Sequence, residues 1–187
     1  MVNTTKKNNK ATSGKMGKGF EKDKDFDQAI IDIARVTRVM AGGKRMRFRT
    51  CVVVGDRAGR VGAAVAKGAD VTLAVRKAAT KARKNLINVP IINETIPHRV
   101  DVKFGAAKIL IKPAPKGTGI IAGGAVRAVL DLSGISNIVA KILGSQNKIN
   151  NVWATINALK MLKRVEPKKS LEKLEKKNDN INDNING

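Results

Sequence analysis

The sequence predicts an α+β chain built from two small α/β-layer domains, and three features lead there. Strand-like alternation broken by short glycine turns fills the first part of the folded region, with one helical stretch behind it. Strand, helix, strand and helix then follow a second hairpin. Hydrophobic residues make up 42% but aromatics only 3%, with no tyrosine, so the cores must be Val, Ile, Leu and Ala, which suit compact layers better than an aromatic-rich sandwich. At 187 residues there is room for two such units.

Residues 1–25 are mostly Lys, Asn, Gly, Ser and Thr, a basic arm expected to be disordered in the free protein. The first folded unit spans 26–90. Its opening strand is expected from near Ile30 to Met40, with Ile31 and Ile33 in one phase and a bulge around Ala34-Arg35. Ala41-Gly42-Gly43-Lys44 signals a hairpin. In the next strand Met46, Phe48, Thr50, Val52 and Val54 point one way and Arg45, Arg47 and Arg49 the other. Gly55 to Gly59 turns the chain into a third strand, Arg60 to Lys67, completing a three-stranded antiparallel meander. A helix follows, with Asp70 as N-cap, an apolar stripe through Val71, Ala74, Val75, Ala78, Ala82 and Leu86, and an end near Asn88.

The second unit spans 91–165. Val89 to Pro97 reads as a linker or short edge strand. Val100 and Val102 open a strand, Phe104-Gly105-Ala106 bends it, and Lys108 to Ile111 returns until Pro113. A helix from about Gly124 to Ser133 stops at Gly134, Ile138 to Leu143 is a short buried strand, and Asn150 or Asn151 caps a last helix with stripe Val152, Ile156, Leu159 and Met161/Leu162. Residues 166–187 form a charged, low-complexity tail.

Charge narrows the function. With 37 Lys and Arg against 15 Asp and Glu the net charge is +22, a self-repulsion that a polyanionic partner relieves. One cysteine, Cys51, permits neither an internal disulfide nor a cysteine-based zinc site, and one histidine, His98, leaves metal and acid–base constellations without partners. Cys51 reads as a small packed residue, His98 as an exposed turn residue and Trp153 as core. No apolar run approaches a membrane span and the N-terminus has no signal-type stretch, so a cytoplasmic chain is expected.

The basic groups cluster. Arg45, Arg47 and Arg49 share one strand face, with Arg38 and Lys44 near the hairpin, an alignment whose repulsion suits phosphate binding better than a solvated surface. Lys77, Lys81 and Lys84 line one helix face, which either binds or merely stays wet. Gly117-Thr118-Gly119-Ile120-Ile121-Ala122 fits a dinucleotide-binding pattern, but Pro113 and Pro115 intervene after the strand and no ribose-binding acid follows. Ala125-Val126 stands where a phosphate loop needs Lys-Ser/Thr. Two readings stay open: a turn that merely packs, or one whose amides and following helix meet RNA phosphate or a protein neighbour.

Four runs in order, Arg35-Val36-Thr37-Arg38 to Gly42-Gly43-Lys44, Val53-Val54-Gly55-Asp56 with Gly59-Arg60-Val61-Gly62, Lys81 to Ile87, and Gly117 to Arg127, resemble bacterial small-subunit ribosomal protein five, continuously from about Ile30 to Leu162. The resemblance implies a double-stranded-RNA-binding-like N-terminal domain and a C-terminal βαβα domain with a left-handed βαβ crossover. It implies a non-enzymatic constituent of the small subunit that binds its rRNA, touches proteins four and eight, lies beside the path by which mRNA enters, and supports assembly and translational accuracy. It further implies no cofactor, no catalytic or metal residue, no membrane and no homo-oligomer. The hairpin from Arg35 to Arg45 would reach toward the head of the subunit, while Gly119, Gly123, Gly124 and Arg127 would face protein four. Arg35, Arg60, Lys67 and Lys116 join the candidate RNA-binding residues. The sequence departs from the family at Ala64 and Ala66, where glycines are usual, at Lys148 for a common proline, and at Trp153, where a basic residue is frequent and no RNA contact is carried over.

Overall fold

The computed structural model describes residues 26–163, so the expectations for the two arms lie outside the described residues. Strands β1 (Asp27–Met40), β2 (Gly43–Gly55) and β3 (Arg60–Gly68) form an antiparallel meander, and helix α1 (Val71–Lys84) packs across it. A two-residue strand β4 (Ile87–Asn88) pairs with β3, giving the order β1-β2-β3-β4. The second sheet holds β5 (Val100–Phe104), β6 (Ala107–Pro113), β7 (Ile120–Ile121) and β8 (Ile138–Ile142) in the order β5-β6-β8-β7. Helix α2 (Gly124–Ser133) joins the parallel pair β7 and β8, and α3 (Lys148–Lys160) closes the chain of elements.

Several local expectations need correction. The bulge in β1 falls between Ile30 and Asp32, not at Ala34-Arg35. The extra residue lets Ile31 pack on the central core and leaves Ile30 and Ile33 half in solvent on the opposite face. Helix α1 ends at Lys84, because the Asn85 N–H bonds the Ala82 carbonyl and the chain turns straight into β4 as a fourth strand. Helix α3 starts at Lys148: Asn147 Oδ1 accepts the Ile149 N–H at 3.1 Å, so the cap stands before Asn150 and Asn151. Asn151 is buried instead, and donates to the Ser145 carbonyl. Trp153 is half-buried, since its α3 position turns off the buried stripe, and Met161 is exposed at the C-cap just past the helix. His98 is half-buried in the bend after Pro97. Strand β7 is too short to leave a periodic signal.

Strand β2 explains how the layers combine. From Thr50 to Gly55 it is buried on both faces, where one wet face is expected from its arginines. Val52 and Val54 meet Ala64, Ala66, Ala78, Ala79 and Ala82 under α1, so Ala64 and Ala66 lie beneath the helix. Cys51 and Val53 turn the other way into a core shared with Val126, Val129, Leu130, Ile138 and Leu159 of the second layer. Each such aliphatic side chain contributes about 1.5–3 kcal/mol on full burial.

Backbone contact fastens the two layers. Arg57 N–H donates to the Leu132 carbonyl at 3.1 Å and Gly59 N–H to that of Ser133 at 2.9 Å. The Ser133 hydroxyl donates to the Leu130 carbonyl and the Gly134 N–H to that of Asp131, so the last four carbonyls of α2 are all satisfied. Asp56 shapes this turn by accepting the Ala58 and Arg60 amides at 2.8 and 2.9 Å and pairing with the Arg60 guanidinium. Burial would raise its carboxyl, but the Arg60 hydrogen bond and the two amides outweigh that and hold its pKa below the ordinary value. The stability it adds is therefore present above that ordinary value and lost as pH falls through the lowered one.

Gly134 takes a left-handed φ of 84°, and a Cβ there would lie 2.0 Å from the Arg57 carbonyl oxygen. Gly117 has φ 89° with nothing within 4 Å of a Cβ. Gly117→Ala should therefore lose about 1–2 kcal/mol, the left-handed cost alone. Gly134→Ala should lose clearly more, because the layers must part. Equal losses in denaturant melts of the two variants would show that the joint can yield.

Candidate nucleic-acid interface

The β1–β2 hairpin continues beyond both cores, so its outer half has only side chains to offer. Antiparallel partners share a face, and Arg38 stands opposite Arg45, Val36 opposite Arg47, and Arg49 between Ala34 and Lys67. Like charges directly opposite destabilise a sheet, so the alignment is not explained by folding. Val36, Thr37, Arg38, Met40, Arg45, Arg47 and Lys67 line a shallow groove of about 310 Å³. Among the described residues no carboxylate pairs with Arg38, Arg45 or Arg47. Arg35 and Lys44 lie on the other face, opposite Phe48 and Val39, so the hairpin is basic on both sides.

Arg49 differs from its neighbours. Its side chain is 35% exposed, pairs with Asp32 at 3.5 Å, and its buried Nε finds no hydrogen-bond partner among the described residues. Asp32 also meets Lys148 Nζ at 3.6 Å, which ties the base of the hairpin to the start of α3. Beside them burial, reinforced by Asp32 and opposed by Arg49, pushes the Cys51 thiol up to about 11, so it stays protonated at neutral pH. Arg60 is engaged locally with Asp56 and stacks over Phe26 at 5.2 Å.

Lys77, Lys81 and Lys84 stand exposed on α1, turned away from its alanine stripe. Lys81 and Lys84 also lie in the last turn, where a cation is favourable in any case. Lys116 is exposed in the loop before β7.

The glycine segment uses its own amides. Asn137, 4% exposed, accepts the N–H of Gly117 at 3.0 Å and of Gly119 at 3.1 Å on one oxygen. That removes two donors from any phosphate cradle, dinucleotide or RNA. What remains outside is the start of α2: Ile121, Gly124 and Arg127 are exposed, Gly119 and Gly123 half-buried. Helix α2 has Gly123 as cap without a side-chain bond and no acid in its first turn. Asp32, Asp56, Glu94 and Asn137 escape sequence reasoning, because an isolated polar residue in a turn or at a strand base has no periodic signature. Among the described residues no group of three His, Cys, Asp or Glu could hold a metal, and no helix is long and apolar enough to cross a membrane.

Comparison with known proteins adds a second line. Residues 26–90 match the family model of the ribosomal protein S5 N-terminal domain, and 102–173 that of the S5 C-terminal domain. Small ribosomal subunit protein uS5 of Thermus thermophilus is 50% identical over 152 residues, 81% of this chain and 92% of that protein. Protein uS5c of Guillardia theta is 50% identical over 146 residues, 78% and 86% of the respective chains.

The two kinds of arginine should separate in a melt. Arg47→Gln should leave the melting temperature almost unchanged. Arg49→Gln should lower stability by about 1 kcal/mol, because Asp32 loses its guanidinium partner and keeps only Lys148. A silent Arg49→Gln would place Arg49 with the solvent-facing group.

Proposed function

Because the chain belongs to the ribosomal protein S5 family, it is a non-enzymatic structural constituent of the small ribosomal subunit in the cytoplasm, and we propose that it grips small-subunit rRNA chiefly through the hairpin groove. The observation that carries this reading is the guanidinium cluster of Arg38, Arg45 and Arg47, which no carboxylate pairs among the described residues, with Lys67 at its side. Guanidinium groups fork onto phosphate oxygens, and Arg45 and Arg47 stand ~6.8 Å apart along one strand face with Arg38 across from Arg45, so a single backbone can be followed without reading bases. Arg35, Lys44 and the lysine face of α1 extend the footprint, with Lys116 on the far loop. Arg49 and Arg60 contribute field more than contacts, since both guanidinium groups already serve the fold.

The second surface, at the start of α2, takes a protein neighbour. Arg127 is exposed near the positive end of the helix dipole, a place where folding does not favour a cation. An external carboxylate supplies the missing partner, and the family resemblance makes small-subunit protein four its owner. Protein eight, the mRNA nearby and a part in assembly and translational accuracy belong to the same reading.

Two experiments test these surfaces. Changing Arg38, Arg45 and Arg47 together to Gln should weaken rRNA binding and reduce the log–log salt slope by about 2–3, close to 1 for each phosphate no longer neutralised. An unchanged slope would move the RNA-binding surface elsewhere. Separately, Arg127→Leu should leave the melting temperature of the free protein nearly unchanged, weaken binding to protein four and raise misreading in a miscoding reporter. Wild-type accuracy, or a much lower melting temperature, would make Arg127 a structural residue.

A further inference from the structure

The connector between the two sheets carries an unusual local arrangement. Ile92 and Thr95 bond each other's amides and carbonyls, and between them Asn93 and Glu94 take left-handed φ values of 50° and 66°. Neither residue is glycine, so this turn is held against its intrinsic preference. Its product is a fixed Glu94 carbonyl, which accepts the N–H of Ser136 at 3.1 Å and of Asn137 at 3.0 Å. The Glu94 carboxylate accepts Asn137 Nδ2 at 3.2 Å. Asn137 is thereby fixed as donor toward Glu94 and as acceptor toward Gly117 and Gly119. The same connector touches the other end of the loop, where the Thr95 hydroxyl accepts the Ala114 N–H at 3.3 Å. From Gly119 the chain is committed: its carbonyl accepts the Ile138 N–H, β7 follows β8 for two residues, and α2 begins.

We propose that Glu94 and Asn137 are positioning residues that set the 114–119 loop and, through β7, the angle at which the start of α2 is offered to its protein neighbour. This rests on reading that start as a protein-contact surface. A loop containing Gly117 and Gly119, both left-handed, has many conformations open to it, and the two amide bonds to Asn137 select one.

The polarity of the network supplies the test on the full chain. Asn137→Asp alone sets two carboxylates against each other. Adding Glu94→Gln restores a donor and an acceptor, now with the amide on residue 94. In Asn137→Asp, hydrogen exchange at the Gly117 and Gly119 amides should accelerate about tenfold and affinity for protein four should fall about tenfold, with both largely restored in the double variant. Arg127→Leu, measured alongside, should lose much of its effect in the Asn137→Asp background, because one cause then underlies both losses. Restored amide protection without restored affinity would overturn the proposal, as would unaltered exchange in Asn137→Asp. If Arg127→Leu alone leaves affinity untouched, the contact-surface reading fails first, and the proposal with it.

Discussion

The arrangement depends on one close approach, where the β2–β3 turn meets the end of α2 backbone to backbone. A Cβ at Gly55 would lie 2.1 Å from the Leu132 carbonyl oxygen, and one at Gly134 2.0 Å from that of Arg57. Only with both side chains absent can Arg57 and Gly59 donate to the helix end. Arg57 itself sits at φ 54°, and its side chain meets Asp27 at 3.0 Å and Asp131 at 4.0 Å. Those exposed pairs are each worth little, so the turn is held by its backbone bonds and by Asp56 more than by charge. With that seam closed, Val53, Val61 and Ala63 share one core with the second layer.

A closed seam gives the hairpin a rigid root. The same face of β2 that buries Cys51 and Val53 becomes, two residues further out, the row of Arg49, Arg47 and Arg45. Asp32 stands at the crossover and pairs with the first of these on one side and Lys148 on the other. Like charges could otherwise splay the two strands. Where the sheet is anchored, the repulsion of Arg38 against Arg45 is borne by the ladder and stays available to a polyanion.

Much of this was legible in the residues. Alternation marks β2 and β5, the glycine turn before β3 and the proline after β6 mark those strands, the spacing of small apolar residues marks α1, and Gly134 marks the end of α2. The errors in element bounds are of one kind. The bulge at Ile31, the β4 and β7 strands and the Asn147 cap are each decided by one or two hydrogen bonds, which no periodicity records. The candidate basic residues were visible as types, but their sorting was not. That Arg49 and Arg60 are held by Asp32 and Asp56 follows from tertiary pairing, and so does the separation of Arg35 from Arg45 across the sheet. Cys51 is legible as a packed residue, because a small side chain in mid-strand is compatible with either face being buried.

The glycine segment shows why composition alone could not choose between its two readings. Glycines close to a helix start resemble a phosphate cradle because both need open backbone, and the difference lies in where the amides go. Here those of Gly117 and Gly119 turn inward to Asn137, whose position is set by Glu94 from the connector. With those two donors spent inside, the outward chemistry passes to the side chains around Ile121, Gly124 and Arg127, one apolar, one absent and one cationic. Such a surface has a cation for a carboxylate, an apolar patch for a side chain and a flat place for close approach. That combination suits a folded protein better than a row of phosphates, and on the proposed reading it divides the labour of the chain, nucleic acid at the hairpin and protein at the start of α2, with the backbone seam joining the layers that carry them.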